Sequence, residues 1–545
     1  MPAFFGKNKM IDTDMAANLL LPVSAAVSSL LVCAIAGVQT FSYAGMPFFC
    51  MAVFLFVFIF MSASVTEHQV LIRIRRQENR NAVYFTNCSV LAGAAAGILQ
   101  MLLFLPLAGI IARGIFAQPH SYLTMYALTP GFVAGSVTGA LQGFLSASGL
   151  GRYRRISMCI LSGLLLVLSV ISAAVFSTRG EMAGLLLRND TYDNVYAAFG
   201  MALGISGALV VTAVFLIAVS YLSARHLLEE KDTLYPETDE FPEELVLFYY
   251  RKLLPGMGGA FIFFILVLVL YRIGIARGSS EEVSPYAVWS VFSGVCTPLI
   301  TILMAPVLCF FSKMARALSA DYLKNRRRQL QQRMSLMMRL SAYLFVPAAF
   351  YIVGAARILI MPYAETLSEA EADAAVSMCR IAGALIIPAA VMLLLLRYYW
   401  KCYYENLVLI CLGISAAVTF IAALLTQSST TFIPSGLLLF ALVYVIAAFT
   451  GGSRSLVRGT DTTWVLDFAL IVISALIGAF FLLLMTGLFP ENMPALVGIL
   501  ISVVIFVPIY VAASLLLRAA DLRNIEKLPG GGIVLAIARL LRLTD

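Results

Sequence analysis

The sequence is poor in charged residues. Asp, Glu, Lys and Arg make up 12% of its 545 residues, whereas hydrophobic residues make up 61%. So little polar surface cannot cover an apolar core of that size in water, and a soluble globular protein is therefore excluded. Almost all of the chain is expected to face lipid or other helices.

Motifs for metal binding, nucleotide binding and covalent catalysis are also missing. The three histidines, His68, His120 and His226, are far apart and form no metal-ligand pattern. No Walker phosphate loop occurs, which argues against an ATP-driven pump. The nine cysteines include no C-x-x-C pair and are interpreted as small buried apolar residues. We predict that the protein is not an enzyme and binds no cofactor and no metal.

The basic residues do not form a nucleic-acid-binding surface. The formal net charge is +8, but Lys and Arg lie in short clusters beside apolar stretches. There they are recognised by anionic lipid headgroups and by the insertion machinery. We predict membrane lipids as partners and no nucleic acid.

Long apolar runs are what the sequence has in abundance. A run of about 20 apolar residues crosses a bilayer as a helix. Fourteen such runs occur, at 17–41, 46–64, 83–111, 123–146, 157–176, 195–222, 253–275, 286–311, 337–360, 378–396, 407–425, 432–449, 464–488 and 495–517. The predicted fold is an all-α membrane protein with about 14 transmembrane helices.

The segments between these runs alternate between arginine-rich and arginine-poor. Basic clusters follow runs 2, 4, 8, 10 and 12, at 73–80, 152–155, 313–333, 397–401 and 454–458. Loops that carry Lys and Arg stay on the cytoplasmic side. By this assignment, seven of the 37 basic residues lie on the outer side of the membrane or in the outer half of a run. They are Arg113, Arg179, Arg188, Arg272, Arg277, Arg357 and Arg380. We predict a multi-pass protein of the bacterial cytoplasmic (inner) membrane with both termini cytoplasmic.

An internal repeat extends through the first twelve runs. Leu-Leu-Pro at 20–22 recurs at 253–255, and Leu-Phe-Leu-Pro at 103–106 recurs as Leu-Phe-Val-Pro at 344–347. An Ala-Arg pair follows each of the latter two, so that the repeat is about 240 residues long. An even number of spans gives both halves the same orientation. We therefore predict two pseudo-symmetric six-helix bundles related by an axis along the membrane normal.

The repeat divides the chain into five parts. Residues 1–222 form the N-terminal six-helix bundle, 223–252 a cytoplasmic linker, and 253–450 the C-terminal six-helix bundle. Residues 451–520 add helices 13 and 14. Residues 521–545 form an amphipathic cytoplasmic tail, whose pattern suits a helix lying on the membrane surface.

Polar side chains within the runs or at their edges are the candidates for function, because their burial in lipid is costly. Arg113 and Arg357 occupy matching places in the repeat, and Arg272, Arg380 and Gln142 lie in other runs. One interpretation is that the arginines extend to the outer headgroups. The other is that they converge on a cationic cavity between the halves, where guanidinium groups bind phosphate.

Gln100 and Asp467 are further polar residues within the runs. Asp467 is close to the inner end of run 13. We predict that it is a helix-start charge or a partner of Arg458, not an acid that couples transport to a cation.

These features resemble the multidrug, oligosaccharidyl-lipid and polysaccharide (MOP) flippase superfamily. The resemblance is to its polysaccharide-transporter branch, which includes stage V sporulation protein B-like proteins and the lipid II flippase. It covers nearly the whole chain, and the segment Gly139-Ala140-Leu141-Gln142-Gly143-Phe144 is similar to a Gln-Gly sequence in helix 4 of that branch. The first run lacks the Asp or Glu of many drug-exporting relatives, and runs 1 and 2 lack the arginine cluster of the lipid II flippase.

The resemblance implies a flippase that moves an undecaprenyl-type lipid-linked oligosaccharide or peptidoglycan precursor across the inner membrane by alternating access. Its expected partners are the lipid-linked saccharide, membrane lipids and cell-envelope biosynthesis enzymes. Two alternatives stay open. One is a cation-coupled multidrug exporter of the same fold, and the other is a non-transporting membrane scaffold for cell-envelope synthesis.

Overall fold

The computed structural model describes residues 13–229, 241–277, 283–305, 326–402, 404–426, 431–452, 463–486 and 494–517, together with 318, 322 and 324. Within these ranges we number fourteen helices in chain order. They are α1 (Thr13–Ala36), α2 (Thr40–Arg75), α3 (Asn79–Ile115), α4 (Ser121–Ala147), α5 (Gly151–Leu187), α6 (Tyr192–Glu229), α7 (Pro242–Arg277), α8 (Pro285–Ala305), α9 (Arg327–Ile360), α10 (Glu369–Lys401), α11 (Glu405–Leu425), α12 (Phe432–Gly452), α13 (Thr463–Thr486) and α14 (Ala495–Leu516). No strand occurs among the described residues.

Thirteen of these helices are long and apolar enough to cross a membrane. The helix outside that set is α4, which is rich in Gly, Ser and Thr but contains no charged residue and is buried over most of its length. Its polar hydroxyls and small residues face other helices, so it needs no strongly apolar surface. The predicted all-α, multi-pass membrane fold is confirmed.

The helix ends differ from the ends of the apolar runs. The first helix stops at Ala36, five residues before the predicted end, because Gly37 takes a φ of 85° and turns the chain into α2. Conversely, α5 has 37 residues although its apolar run covers 157–176. An apolar run marks only the part of a helix that crosses hydrocarbon, and the helix continues into the aqueous phase.

The chain packs as two compact units, which we call the N-unit and the C-unit. The N-unit consists of Leu20–Arg272 and the short segment Trp289–Gly294. In its interior α4 packs against α2, α3 and α6, and α5 packs along α6. Most of α7 belongs to this unit, since the hydroxyl of Tyr249 contacts Ser62 of α2 and that of Tyr250 contacts the carbonyl of Ala92 in α3.

The C-unit contains the described residues 13–19, Ile273–Val288 and those from Val295 onward. Here α9 is central and packs against α10, α13 and α14. The hydroxyl groups of Tyr351 in α9 and Ser502 in α14 are 2.8 Å apart. Ser368 caps α10, because its side chain accepts the N–H of Glu371 while Glu371 accepts the N–H of Ser368.

Three of the described helices contain a π-turn, in which the backbone N–H bonds five residues back instead of four. These turns are Phe56–Met61 in α2, Ile111–Ile115 in α3 and Phe292–Cys296 in α8. No pattern in the sequence predicted these turns. Several predictions lie outside the described residues, namely the tail 521–545, the basic cluster 454–458, part of the cluster 313–333 and the linker residues 230–240.

The division into a six-helix bundle up to residue 222 and another from residue 253 stays a prediction. It concerns duplication in the sequence, whereas the two units are defined by packing. The boundary between the units falls within α7, at Arg272 and Ile273.

Candidate functional site

Two of the predicted arginines lie at one end of the N-unit. Arg113 is in the π-turn that ends α3, and Arg272 is near the end of α7. The two helix ends are joined there, because the hydroxyl of Tyr271 donates a hydrogen bond to the carbonyl oxygen of Phe116. Both arginines are exposed on the surface of the unit. Neither has a hydrogen-bond or ion-pair partner in the described part of the chain.

The other two arginines lie on adjacent helices of the C-unit. Arg357 is in the last turn of α9, and Arg380 is in the fourth turn of α10. These helices pack against each other, and both side chains are exposed. Among the described residues they too have no acidic partner. Each unit therefore presents a pair of exposed guanidinium groups with unused hydrogen-bond donors.

Two other outer arginines, Arg179 and Arg277, do contact neighbouring groups. Arg277 donates to the carbonyl oxygens of Ala423 and Thr426 at 3.1 and 3.2 Å, and so caps the end of α11. The guanidinium of Arg179 lies 5.3 Å from the ring centroid of Phe176. These contacts distinguish the two arginines from the four predicted site residues.

Gln142 lies in a different environment from the arginines. It is fully buried between α4 and the start of α5, where its Nε2 is 3.5 Å from Ser157 Oγ and 3.4 Å from Met158 Sδ. Its Oε1 has no hydrogen-bond partner among the described residues. Its burial supports a role in packing between helices, and its predicted role as a substrate ligand stays a prediction.

Charge within the apolar runs is almost entirely positive. Asp467 is the one carboxylate in the fourteen runs. Its Oδ2 lies 2.8 Å from Nε of Arg339 in α9, and both side chains are 28% exposed. The Nε–H direction does not satisfy hydrogen-bond geometry, so the contact is an ion pair. The sequence did not indicate this partner, and Arg458 lies outside the described residues.

Two further features were missed from sequence. One is a row of glycines on α4 at every fourth position, Gly131, Gly135, Gly139 and Gly143, which faces α2. This is the small-residue spacing that allows membrane helices to approach closely, and it could have been found by its period.

The other missed feature is a polar cluster at the start of α4 and α6. Thr40 Oγ1 is 3.1 Å from Oδ1 of Asn194, and the rings of His120 and Tyr192 are 5.6 Å apart. The hydroxyl of Ser121 nearby is buried and has no hydrogen-bond partner in the described part of the chain. No spacing in the sequence predicts this cluster, because its members come from three separate helices.

The described residues contain no group of three or more His, Cys, Asp and Glu side chains that could hold a metal ion. Gln100 is partly buried on α3. The site features that the structure does present are thus exposed arginines and the paired Asp467. Such a set can bind anions through charge-assisted hydrogen bonds.

No family model matches the sequence, and no curated protein matches it. Solved structures do share its fold. An inward-facing multidrug resistance MATE family transporter of the MOP superfamily is 14% identical, with a TM-score of 0.64 over 82% of this chain and 98% of that chain. An outward-facing conformation of such a transporter is 15% identical, with a TM-score of 0.55 over 83% and 98%.

A third solved structure is a MOP superfamily transporter from Pyrococcus furiosus Vc1, in which reverse polarity of the binding pocket suggests a different function. It is 16% identical, with a TM-score of 0.55 over 82% of this chain and 97% of that chain. At such low identity the likeness is one of fold. The chain has the fold of the MOP superfamily transporters.

Proposed function

We propose that this protein is an alternating-access transporter that moves a lipid-linked saccharide with a phosphate-bearing headgroup from the inner to the outer leaflet. The fold supports transport, since solved MOP transporters with both inward-facing and outward-facing conformations match more than four fifths of the chain. The described helices offer no cluster of His, Cys, Asp and Glu for a membrane-embedded metalloenzyme.

The observation that carries the choice of cargo is the balance of charge within the apolar runs. The single carboxylate there, Asp467, is neutralised by Arg339. Arg272, Arg357 and Arg380 are exposed and lack acidic partners among the described residues. An anionic headgroup can supply the missing hydrogen-bond acceptors, because phosphate matches the fork of donors on a guanidinium group.

The physical task also suits an anion. The sugar pyrophosphate must pass a hydrocarbon layer about 30 Å thick, while a prenyl tail can remain in lipid throughout. A membrane potential that is negative inside favours outward movement of an anion by about 2.3 kcal/mol per charge per 100 mV. Part of the driving force would therefore come from the cargo itself.

A cation-coupled multidrug exporter is the second candidate function, favoured by the solved structures of multidrug resistance transporters with this fold. Binding of a cationic drug or a coupling cation would require an available carboxylate within the spans, and Asp467 is already paired. A third candidate is a non-transporting scaffold for cell-envelope synthesis. It would be favoured if all four exposed arginines served only to anchor the protein in headgroups.

The test is reconstitution of the full-length protein in liposomes with a fluorescent undecaprenyl-pyrophosphate-linked saccharide. Arg272→Ala and Arg380→Ala change one arginine in each unit, and Arg179→Ala is the matched control, an outer arginine held against Phe176. We expect each site variant to lower the translocation rate about tenfold, the effect of losing one charge-assisted hydrogen bond. Arg179→Ala should keep the wild-type rate.

Other outcomes decide between the candidates. Export of a cationic dye without movement of the labelled lipid would support the multidrug exporter. Equal rates in all variants would assign the arginines to headgroup anchoring. No movement of either cargo by the wild-type protein would support the scaffold.

A further inference from the structure

The π-turn of α2 is enclosed by two other helices of the N-unit. In this turn the N–H of Ser62 bonds back to the carbonyl oxygen of Val57. Val57, Phe58 and Ile59 are buried, whereas Phe56 and Phe60 are exposed at 49% and 39%. A π-turn contains one residue more than the α-helical turn that it replaces. We call Thr40–Leu55 the outer half of α2 and Ser62–Arg75 its inner half, and the two halves thus meet at a widened piece of backbone.

The helix α4 provides a close fit for this backbone. A Cβ atom on Gly139 would overlap the carbonyl oxygen of Phe58 and would lie 2.9 Å from that of Ile59. One turn further along α4, a Cβ on Gly143 would lie 2.6 Å from the carbonyl oxygen of Ala63. The glycine row therefore leaves the bulged part of α2 in direct backbone contact with α4, with no side chain between them.

The helix α7 closes the other side of the turn. The hydroxyl of Tyr249 lies 2.7 Å from Ser62 Oγ, and both residues are completely buried. A Cβ on Gly256 would overlap the sulfur of Met61. These contacts attach α7 to Met61, the last residue of the turn, and to Ser62, where the inner half of α2 begins.

We propose that the π-turn Phe56–Met61 is a joint at which the inner half of α2 shifts register when α7 moves during transport. A π-turn can pass along a helix by one residue at a time, and each residue that it passes rotates by about 100°. Tyr249 and Gly256 would transmit the movement, and the smooth surface at Gly139 would let the widened backbone slide. This inference rests on the proposed transport function.

The inner half of α2 contains groups that such a rotation would redirect. Glu67 pairs with Arg154 of α5 at 3.8 Å. Arg73 lies 4.6 Å from the ring centroid of Phe85 in α3. Rotation about the turn would exchange these contacts for others at the cytoplasmic end of the unit, while the outer half of α2 kept its packing.

Hydrogen exchange of the full-length protein in liposomes tests the joint without any need for a cargo. We expect backbone amides of 56–62 to exchange faster than those of 49–55, the α-helical residues just before the turn in α2, which are also partly exposed. Similar slow exchange in both segments would overturn the proposal. This comparison holds even if the protein fails to move a lipid-linked saccharide, so the joint and the proposed cargo fail separately.

Deletion of Phe60 tests the need for the joint in transport. The deletion removes an exposed side chain and converts the π-turn to an ordinary turn, and both flanking halves keep their faces. We expect exchange in the turn to fall to the level of its flanks, and the translocation rate to fall about tenfold or more. A wild-type rate with the slowed exchange would overturn the proposal.

Tyr249→Phe provides a second variant that leaves the backbone intact, so the test does not depend on folding of the deletion variant. It removes only the hydroxyl group that contacts Ser62. We expect the exchange rate of 56–62 to change, together with a several-fold lower translocation rate. Tyr221→Phe, at a tyrosine that is 71% exposed, is the matched control and should change neither. An unchanged exchange rate in Tyr249→Phe would show that α7 does not act on the turn.

Discussion

Ionisable side chains within the spans differ in what each one contacts. Asp467 lies four residues into α13, yet its partner Arg339 is on α9. Partial exposure lowers the contribution of such an ion pair to the free energy of unfolding. The surrounding apolar helices, however, make it more destabilising to leave either charge without its partner. The pair thus helps to hold α13 against α9. The identity of the polar residues was evident from the sequence, but their pairing was not.

Asp467→Asn is expected to lower stability by about 1 kcal/mol, because it leaves Arg339 without its counter-charge in a largely apolar setting. The measurement is the unfolding midpoint of the purified protein in detergent. Asp373→Asn, an exposed carboxylate on α10, is the control and should leave the midpoint unchanged. Replacing both Asp467 and Arg339 by Leu should restore much of the loss, and a further decrease would contradict this interpretation.

Close helix pairs in this protein depend on glycine at particular positions. Between α5 and α6, a Cβ on Gly204 would lie 2.5 Å from the carbonyl oxygen of Leu168 and 2.6 Å from Cα of Ser169. On the exposed side of α5, a Cβ on Gly163 would meet nothing within 4 Å. The same residue type therefore has opposite roles on neighbouring elements, and its effect depends on which face of the helix it occupies.

Gly204→Ala is expected to destabilise the protein by about 1 to 3 kcal/mol, because backbone atoms of α5 cannot yield to the added methyl group. Gly163→Ala should instead be neutral or stabilising by up to about 1 kcal/mol, since alanine loses less chain entropy than glycine in a helix. Unfolding in mixed detergent would compare the two variants. Equal effects would mean that helix propensity, and not the contact with Leu168, decides the outcome.

At the scale of the whole molecule, the arrangement of basic loops predicts the orientation in the membrane. Both termini and the segment after Glu229 are expected on the cytoplasmic side, and the turn between α5 and α6 at Arg188 on the outer side. Among the described residues one helix, α6, lies between Arg188 and Glu229, so these two points are expected on opposite sides of the membrane.

Reporter fusions test this orientation. Green fluorescent protein fused after Glu229 or after Asp545 should fluoresce, and alkaline phosphatase fused there should be inactive. Fusion after Arg188 should give the opposite result. Active phosphatase at Glu229 would reverse the predicted orientation, whereas activity at both Glu229 and Arg188 would show that the helix between them does not cross the membrane.

The sequence by itself determined the order and approximate position of the fourteen helices numbered among the described residues. Each segment that crosses hydrocarbon must satisfy its backbone internally and present apolar side chains, and this requirement is written locally along the chain. It also identified the exposed arginines, since charge is conspicuous within an apolar run. It misplaced the helix ends, because segments such as 177–187, which contains Arg179 and Glu181, continue a helix beyond the apolar run.

Only the tertiary structure decided which elements meet. The attachment of most of α7 to the N-unit, the pairing of Asp467 with Arg339 and the enclosure of the π-turn in α2 all join residues that are far apart in sequence. Lipid is as apolar as the helix surfaces, so hydrophobicity does not select one partner over another within a membrane. The selection depends on close fit at glycines and on single polar contacts, and these exist only once the helices have come together.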